Sequence, residues 1–137
     1  MKIVTDKFVP YLAEALAPYA EVVCVDGRNI PKEVLEDADG LVVRTRTQCN
    51  EALLSGARKL RFVGTATIGY DHLDTAYLAE AGIAWTNCPG CNASSVEQYV
   101  RSSLLLLKEK KGLDLQNATI GVVGVGHVGS RVARMAG

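Results

Sequence analysis

The chain has 137 residues, 48% of them hydrophobic and 22% charged, which is enough to bury a core in a domain of ordinary size. Fifteen lysines and arginines balance fifteen aspartates and glutamates, so no basic excess points to nucleic acid or an anionic membrane. No apolar run approaches the roughly 20 residues of a membrane span, and the opening MKIVTDKF lacks the apolar stretch of a signal peptide.

Short β-branched runs alternate with helical stretches, the pattern of βαβ units on a parallel sheet. Candidate strands are Lys2–Thr5, Glu21–Val25, Gly40–Arg44, Arg61–Gly64 and Ala84–Thr86. Between them lie helical patterns at Pro10–Tyr19, Pro31–Leu35, Asn50–Leu54 and Asp74–Ala81. Pro31 suits a first helical turn, while Asp74 opens the fourth helix and Gly82 closes it. Strands and helices in this order complete one α/β layer of flavodoxin-like type by Asn87.

A turn-rich break follows at Asn87–Asn92, and Ser94-x-x-Glu97 reads as a capping box. It predicts a long helix over Ser94–Lys110, with Val96, Tyr99, Val100, Ser103, Leu104 and Leu107 in one stripe. Leu105 and Leu106 widen the stripe, which predicts cover on more than one side. Lys108, Lys110 and Lys111 favour the negative end of the helix dipole, and Gly112 ends the helix. The expected division is a first domain over 1–92, then the linking helix and the start of a second domain over 93–137.

With no secretory signal, Cys24, Cys49, Cys88 and Cys91 are expected to be free thiols in a cytoplasmic protein. Cys88-Pro-Gly-Cys91 has the spacing of a zinc or redox pair. A zinc site needs a second pair, and neither Cys24 nor Cys49 has a near partner, so no metal site is expected. The context of a thioredoxin-like helix is also missing.

The strongest local signal comes late. Ile120–Val123 reads as a short buried strand, Gly124-Val-Gly-His-Val-Gly129 is a G-x-G-x-x-G turn, and Ser130–Met135 begins a helix. Gly124 permits the tight turn, Gly126 lets a pyrophosphate approach the backbone, and Gly129 lets the helix pack closely. The amides of His127 and Val128 would then point at anionic oxygens, helped by the helix dipole. Alone, the six-residue pattern also fits a glycine-rich turn in any α/β core. The acidic ribose ligand of this motif comes about 20 residues later, past Gly137. The Rossmann domain is therefore expected to be incomplete in this chain.

This order of elements resembles the NAD-dependent D-2-hydroxyacid dehydrogenases. Gly40-Leu-Val-Val-Arg-Thr-Arg-Thr47 is similar to that family's third strand and loop, and Gly64-Thr-Ala-Thr-Ile-Gly-Tyr-Asp-His-Leu-Asp74 to its loop ending in D-x-x-D. Asn87–Asn92, with Val96-Glu97 behind it, is similar to its entry into the linking helix. Within the family, Gly64-Thr-Ala-Thr67 and Pro89-Gly-Cys-Asn92 look most like the branch acting on phosphorylated erythronate, whereas Arg46 replaces an expected small apolar residue. The resemblance implies NAD as cofactor, a phosphorylated hydroxy acid as substrate, a homodimeric parent and substrate contacts at Thr45 and Thr67. It also implies that the histidine, carboxylate and arginine of catalysis lie past residue 137, so that no catalytic residue is expected in this chain and the chain alone is expected to be inactive.

The residues support part of this independently. Arg44, Thr45, Arg46 and Thr47 follow the C-terminal end of a strand, where parallel α/β sheets bind ligands, and guanidinium and hydroxyl groups suit a carboxylate or phosphate. Either arginine could instead serve a surface ion pair. His72, between Asp71 and Asp74, could be taken for a general base, but the resemblance places the proton-transferring histidine elsewhere. Two other functions remain open: a family member acting on glycerate, lactate or phosphoglycerate, and a dinucleotide-sensing corepressor on the same fold.

Overall fold

The computed structural model describes residues 1–137. Its contacts divide the chain into two compact units, Met1–Cys88 and Pro89–Gly137.

The first unit is built on five parallel strands: β1 (Lys2–Asp6), β2 (Glu21–Val25), β3 (Gly40–Val43), β4 (Phe62–Thr65) and β5 (Ala84–Thr86). They lie in the order β2-β1-β3-β4-β5, the flavodoxin-like order expected from the sequence. Each predicted strand lies within a residue of its observed bounds, for a physical reason. A parallel strand covered on both faces must be apolar along its length, and Ile3-Val4, Leu41-Val42-Val43 and Phe62-Val63 are. Val4, Leu41, Val43 and Val63 are wholly buried in the central strands, where they join Leu35, Leu54, Leu78 and Ile83 in one core. The outer strands β2 and β5 contain no buried residue.

Four short helices connect the strands: α1 (Leu12–Leu16), α2 (Lys32–Leu35), α3 (Glu51–Leu54) and α4 (Thr75–Glu80). The first is shorter than its pattern. Tyr11 takes a left-handed backbone conformation with φ of 62°, so helical geometry begins only at Leu12. Asn50 and Asp74 cap α3 and α4 by accepting from the backbone N–H groups of Leu53 and Tyr77.

The second unit holds α5 (Ala93–Lys111) and α6 (Gly129–Ala136), which pack on each other. Three expectations change here. The Ser94–Glu97 capping box does not form: the helix starts a residue early, its N-cap is Asn92 with no side-chain cap bond, and Glu97 instead accepts from Arg101. The broad apolar face of α5 is covered at Ala93 and partly covered along Val96, Val100 and Leu104, while Tyr99, Leu105, Leu106 and Leu107 are exposed. The predicted strand Ile120–Val123 forms no ladder, since no other strand of its unit lies beside it, and Val123 is fully exposed. Gly112 ends α5 as expected, with φ of 65°.

Cys49 is completely buried in the first unit, and desolvation pushes its thiol up to about 12. Cys24, Cys88 and Cys91 are exposed. At pH 8 an aromatic disulfide reagent should therefore label three thiols of the native protein quickly and the fourth only on unfolding. Four equally fast reactions would contradict this burial.

Candidate functional site

In a sheet of this order the connection after β1 runs to one side and the connection after β3 to the other, so a crevice opens between the C-terminal ends of β1 and β3. The residues at those ends are polar. Asp6 closes β1 and is 1% exposed, yet both of its carboxylate oxygens are satisfied. Oδ1 accepts from the backbone N–H of Phe8 at 3.0 Å, and Oδ2 accepts from Nε of Arg44 at 3.0 Å. The Arg44 guanidinium also lies over the Phe8 ring, 5.2 Å from its centre. Arg44 is thus held by the fold through Nε, while its two terminal nitrogens have no partner in the chain.

Thr47 is buried and donates to the Gly27 carbonyl at 2.7 Å. Gly27 must be glycine, because a Cβ there would stand 2.6 Å from Asp6 Oδ2 and 2.9 Å from Thr47 Oγ1. Thr45 and Arg46 are exposed. Arg46 shares a shallow depression of about 280 Å³ with Arg28, Asn29 and Thr47.

Thr67 lies in the loop after β4 and is half-buried. Its Oγ1 is 2.7 Å from Thr65 Oγ1, and it donates to the Gly69 carbonyl at 3.0 Å. Thr65 Oγ1 is in turn 2.9 Å from Nε2 of the buried His72. A parallel bridge between Cys49 and Leu73 ties this loop to the loop after β3. The Cys49 N–H donates to the His72 carbonyl, and the Asp74 N–H to the Cys49 carbonyl, each at 2.8 Å. No hydrogen bond joins Arg46 to Thr67; the two loops are tied through backbone, by this bridge and by the Ala66 N–H donating to the Val43 carbonyl at 2.9 Å.

The glycine turn belongs to the second unit. Gly124 has φ of 89°, and a Cβ on Gly129 would overlap the Gly124 carbonyl oxygen, so the turn closes only with glycine at both places. A Cβ on Gly126 would meet nothing within 4 Å. The N–H groups of His127 and Val128 have no partner in the chain, and α6 starts directly behind them. The His127 ring packs on Gly90, where a Cβ would come within 3.0 Å of it. The His127 side chain is exposed, and its backbone amide is left free. These are the features a diphosphate requires of such a turn: an open backbone face, free donors and a helix N-terminus.

Sequence reasoning missed Asp6 and Gly27, the hydroxyl contacts of Thr65 and the structural place of His72. Asp6 carried one signal, a lone carboxylate at the end of an apolar strand, but its partner could not be known before the strand order.

The site sets two expectations. Burial holds His72 below its usual pKa of 6.5, with Asp71 opposing. As pH falls through 6.5 the unfolded chain takes up the proton first, so stability complete above that value is lost below it. Urea stability should fall from pH 7.5 to 5.5, and His72→Gln should flatten that fall; an unchanged slope would refute the link. Gly129→Ala should cost about 1–3 kcal/mol or more through overpacking, read as faster amide exchange over residues 120–136, while Gly126→Ala should leave exchange unchanged.

Comparison with known proteins bears on these features. A family model described as D-isomer specific 2-hydroxyacid dehydrogenase, catalytic domain, matches residues 2–127. Erythronate-4-phosphate dehydrogenase of Bacteroides fragilis is 52% identical over 137 residues, covering 99% of this chain and 39% of that protein. The enzyme of that name from Edwardsiella ictaluri is 53% identical over 134 residues, covering 98% of this chain and 36% of that one. The chain therefore spans about two fifths of the length of these relatives. Among solved structures, D-lactate dehydrogenase of Aquifex aeolicus, complexed with NAD and lactic acid, superposes with a TM-score of 0.77 at 26% identity, over 99% of this chain and 48% of that one. With the parallel sheet, the glycine turn and a match over almost its whole length, the chain belongs to the D-isomer specific 2-hydroxyacid dehydrogenase family.

Proposed function

We propose that the protein acts as an NAD-dependent dehydrogenase oxidising 4-phospho-D-erythronate to the corresponding 2-oxo acid, a step in making pyridoxal phosphate. The observation that carries this reading is the Thr65–Thr67 hydroxyl pair beside the arginine-bearing loop after β3, in a chain about half identical to relatives named for that substrate.

In this reading the first unit grips the substrate. Arg44 offers its free terminal nitrogens to a carboxylate or phosphate, and its anchorage to Asp6 fixes where they point. Thr45 and Arg46 are exposed on the same loop, and Thr67 offers a hydroxyl from the next. The second unit receives the cofactor's diphosphate. Gly124, Gly126 and Gly129 shape the turn, and the amides of His127 and Val128 donate to the anionic oxygens. When bound, NAD supplies the hydride acceptor for the hydrogen on carbon 2. The hydroxyl proton leaves to a base outside the residues assigned here. The protein is proposed to be a cytoplasmic homodimer; no helix of the structure is long and apolar enough to cross a membrane.

Separate effects on the two ligands test the assignment in the full-length protein. Thr67→Val keeps the side-chain shape and removes the donor. A hydrogen bond to a charged group is worth roughly 1.5–3 kcal/mol, so kcat/KM for 4-phosphoerythronate should fall about 10- to 100-fold with the Kd of NAD unchanged. Gly126→Ala fills the open face of the turn and should raise the Kd of NAD while the fold persists. Coupled loss of both parameters in either variant, or no loss in both, would refute the division of labour.

A further inference from the structure

The contacts around Thr65 fix where three hydrogens lie. Thr67 Oγ1 contacts the Gly69 carbonyl, Thr65 Oγ1 contacts Thr67 Oγ1, and His72 Nε2 contacts Thr65 Oγ1, at 3.0, 2.7 and 2.9 Å. A carbonyl only accepts, so Thr67 donates to Gly69. Thr67 then has no second hydrogen, and Thr65 must donate to it. With the Thr65 hydrogen also committed, the last contact is a hydrogen bond only if Nε2 of His72 carries a hydrogen. Thr65 and His72 are 2% and 6% exposed, so bulk water is largely unable to replace a lost link. His72 Nδ1 makes no hydrogen bond within the chain, as an acceptor nitrogen allows, and burial disfavours the charged ring.

We propose that His72 is a positioning residue for ligand binding: as the Nε2–H tautomer it sets the direction of the Thr65–Thr67 hydroxyl chain, so that Thr67 keeps a hydrogen to give to an anionic oxygen of a phosphorylated hydroxy acid. The inference rests on the reading of Thr67 as a substrate contact. When the anion arrives, only the Thr67 hydrogen turns, from the Gly69 carbonyl to the ligand; the Thr65 and His72 hydrogens stay in place. Each bond polarises the next, which makes Thr67 a better donor than an isolated hydroxyl. In the opposite tautomer Thr65 would donate into the ring and Thr67 would donate inward to Thr65. The ligand would then meet lone pairs instead of a hydrogen.

Two measurements test this. In the protein labelled with ¹⁵N-histidine, long-range ¹⁵N–¹H correlation at pH 7.5 should show Nε2 protonated and Nδ1 bare for His72; the reverse assignment overturns the inference whatever the ligand does. Calorimetric titration with 4-phosphoerythronate supplies the second. His72→Leu should weaken binding about tenfold. His72→Gln places an amide N–H where Nε2–H stood, and should bind within about threefold of the unaltered protein because the hydrogen bond to Thr65 is retained. Thr67→Val should weaken binding in every background. If Thr67→Val weakens binding while His72→Leu does not, or a folded His72→Gln fails to restore it, the role of His72 is wrong and the substrate-contact reading survives. If Thr67→Val binds as well as the unaltered protein, or the unaltered protein itself does not bind 4-phosphoerythronate, the substrate-contact reading falls and the inference with it. Should His72→Leu not fold, the tautomer measurement and His72→Gln still decide.

Discussion

A carboxylate buried at the end of the central strand organises the first unit. Asp6 reaches the C-terminal end of β1 beside the point where the sheet's connections diverge, and it is almost without contact with water. A charge in that position needs partners, and it finds them in the Phe8 N–H and the Arg44 guanidinium. That need brings the start of the loop after β3 over β1. The chain after β2 also passes close by: a Cβ at position 27 would stand 2.6 Å from the Asp6 carboxylate. Removing Arg44 would leave the Asp6 charge short of a partner, so the pair defends the fold whether or not Arg44 also meets a ligand.

The first unit was legible because burial on both faces leaves a direct mark. Its strands are apolar runs, and its helix starts at Asn50 and Asp74 carry their caps in the sequence. The glycine turn was legible for a similar reason. Its demands are steric and local, and the contact between position 129 and the Gly124 carbonyl is set within six residues.

What stayed hidden depends on partners distant in sequence. Arg44 could be read as a ligand contact or as an ion-pair partner, and only the adjacency of β1 and β3 shows that Asp6 takes its Nε. His72 looked like a turn residue between two aspartates. Its ring is turned inward to Thr65 in a loop whose backbone is held by Cys49, more than twenty residues earlier. The capping box misled because Ser94 and Glu97 match a local pattern that a helix starting one residue sooner makes useless. Leu105 and Leu106 predicted wider cover than α5 has, because sequence shows that a face is apolar and not what lies against it.

The bridge between Cys49 and Leu73 has a consequence in entropy. Two backbone hydrogen bonds make the loops after β3 and β4 a single body, so that their freedom is given up together when the chain folds. A ligand touching both loops then meets groups already fixed in their mutual spacing and has little left to order. Its contacts can appear as affinity instead of being consumed in arranging the site. For such a ligand, loosening the bridge would weaken binding without altering any group it touches.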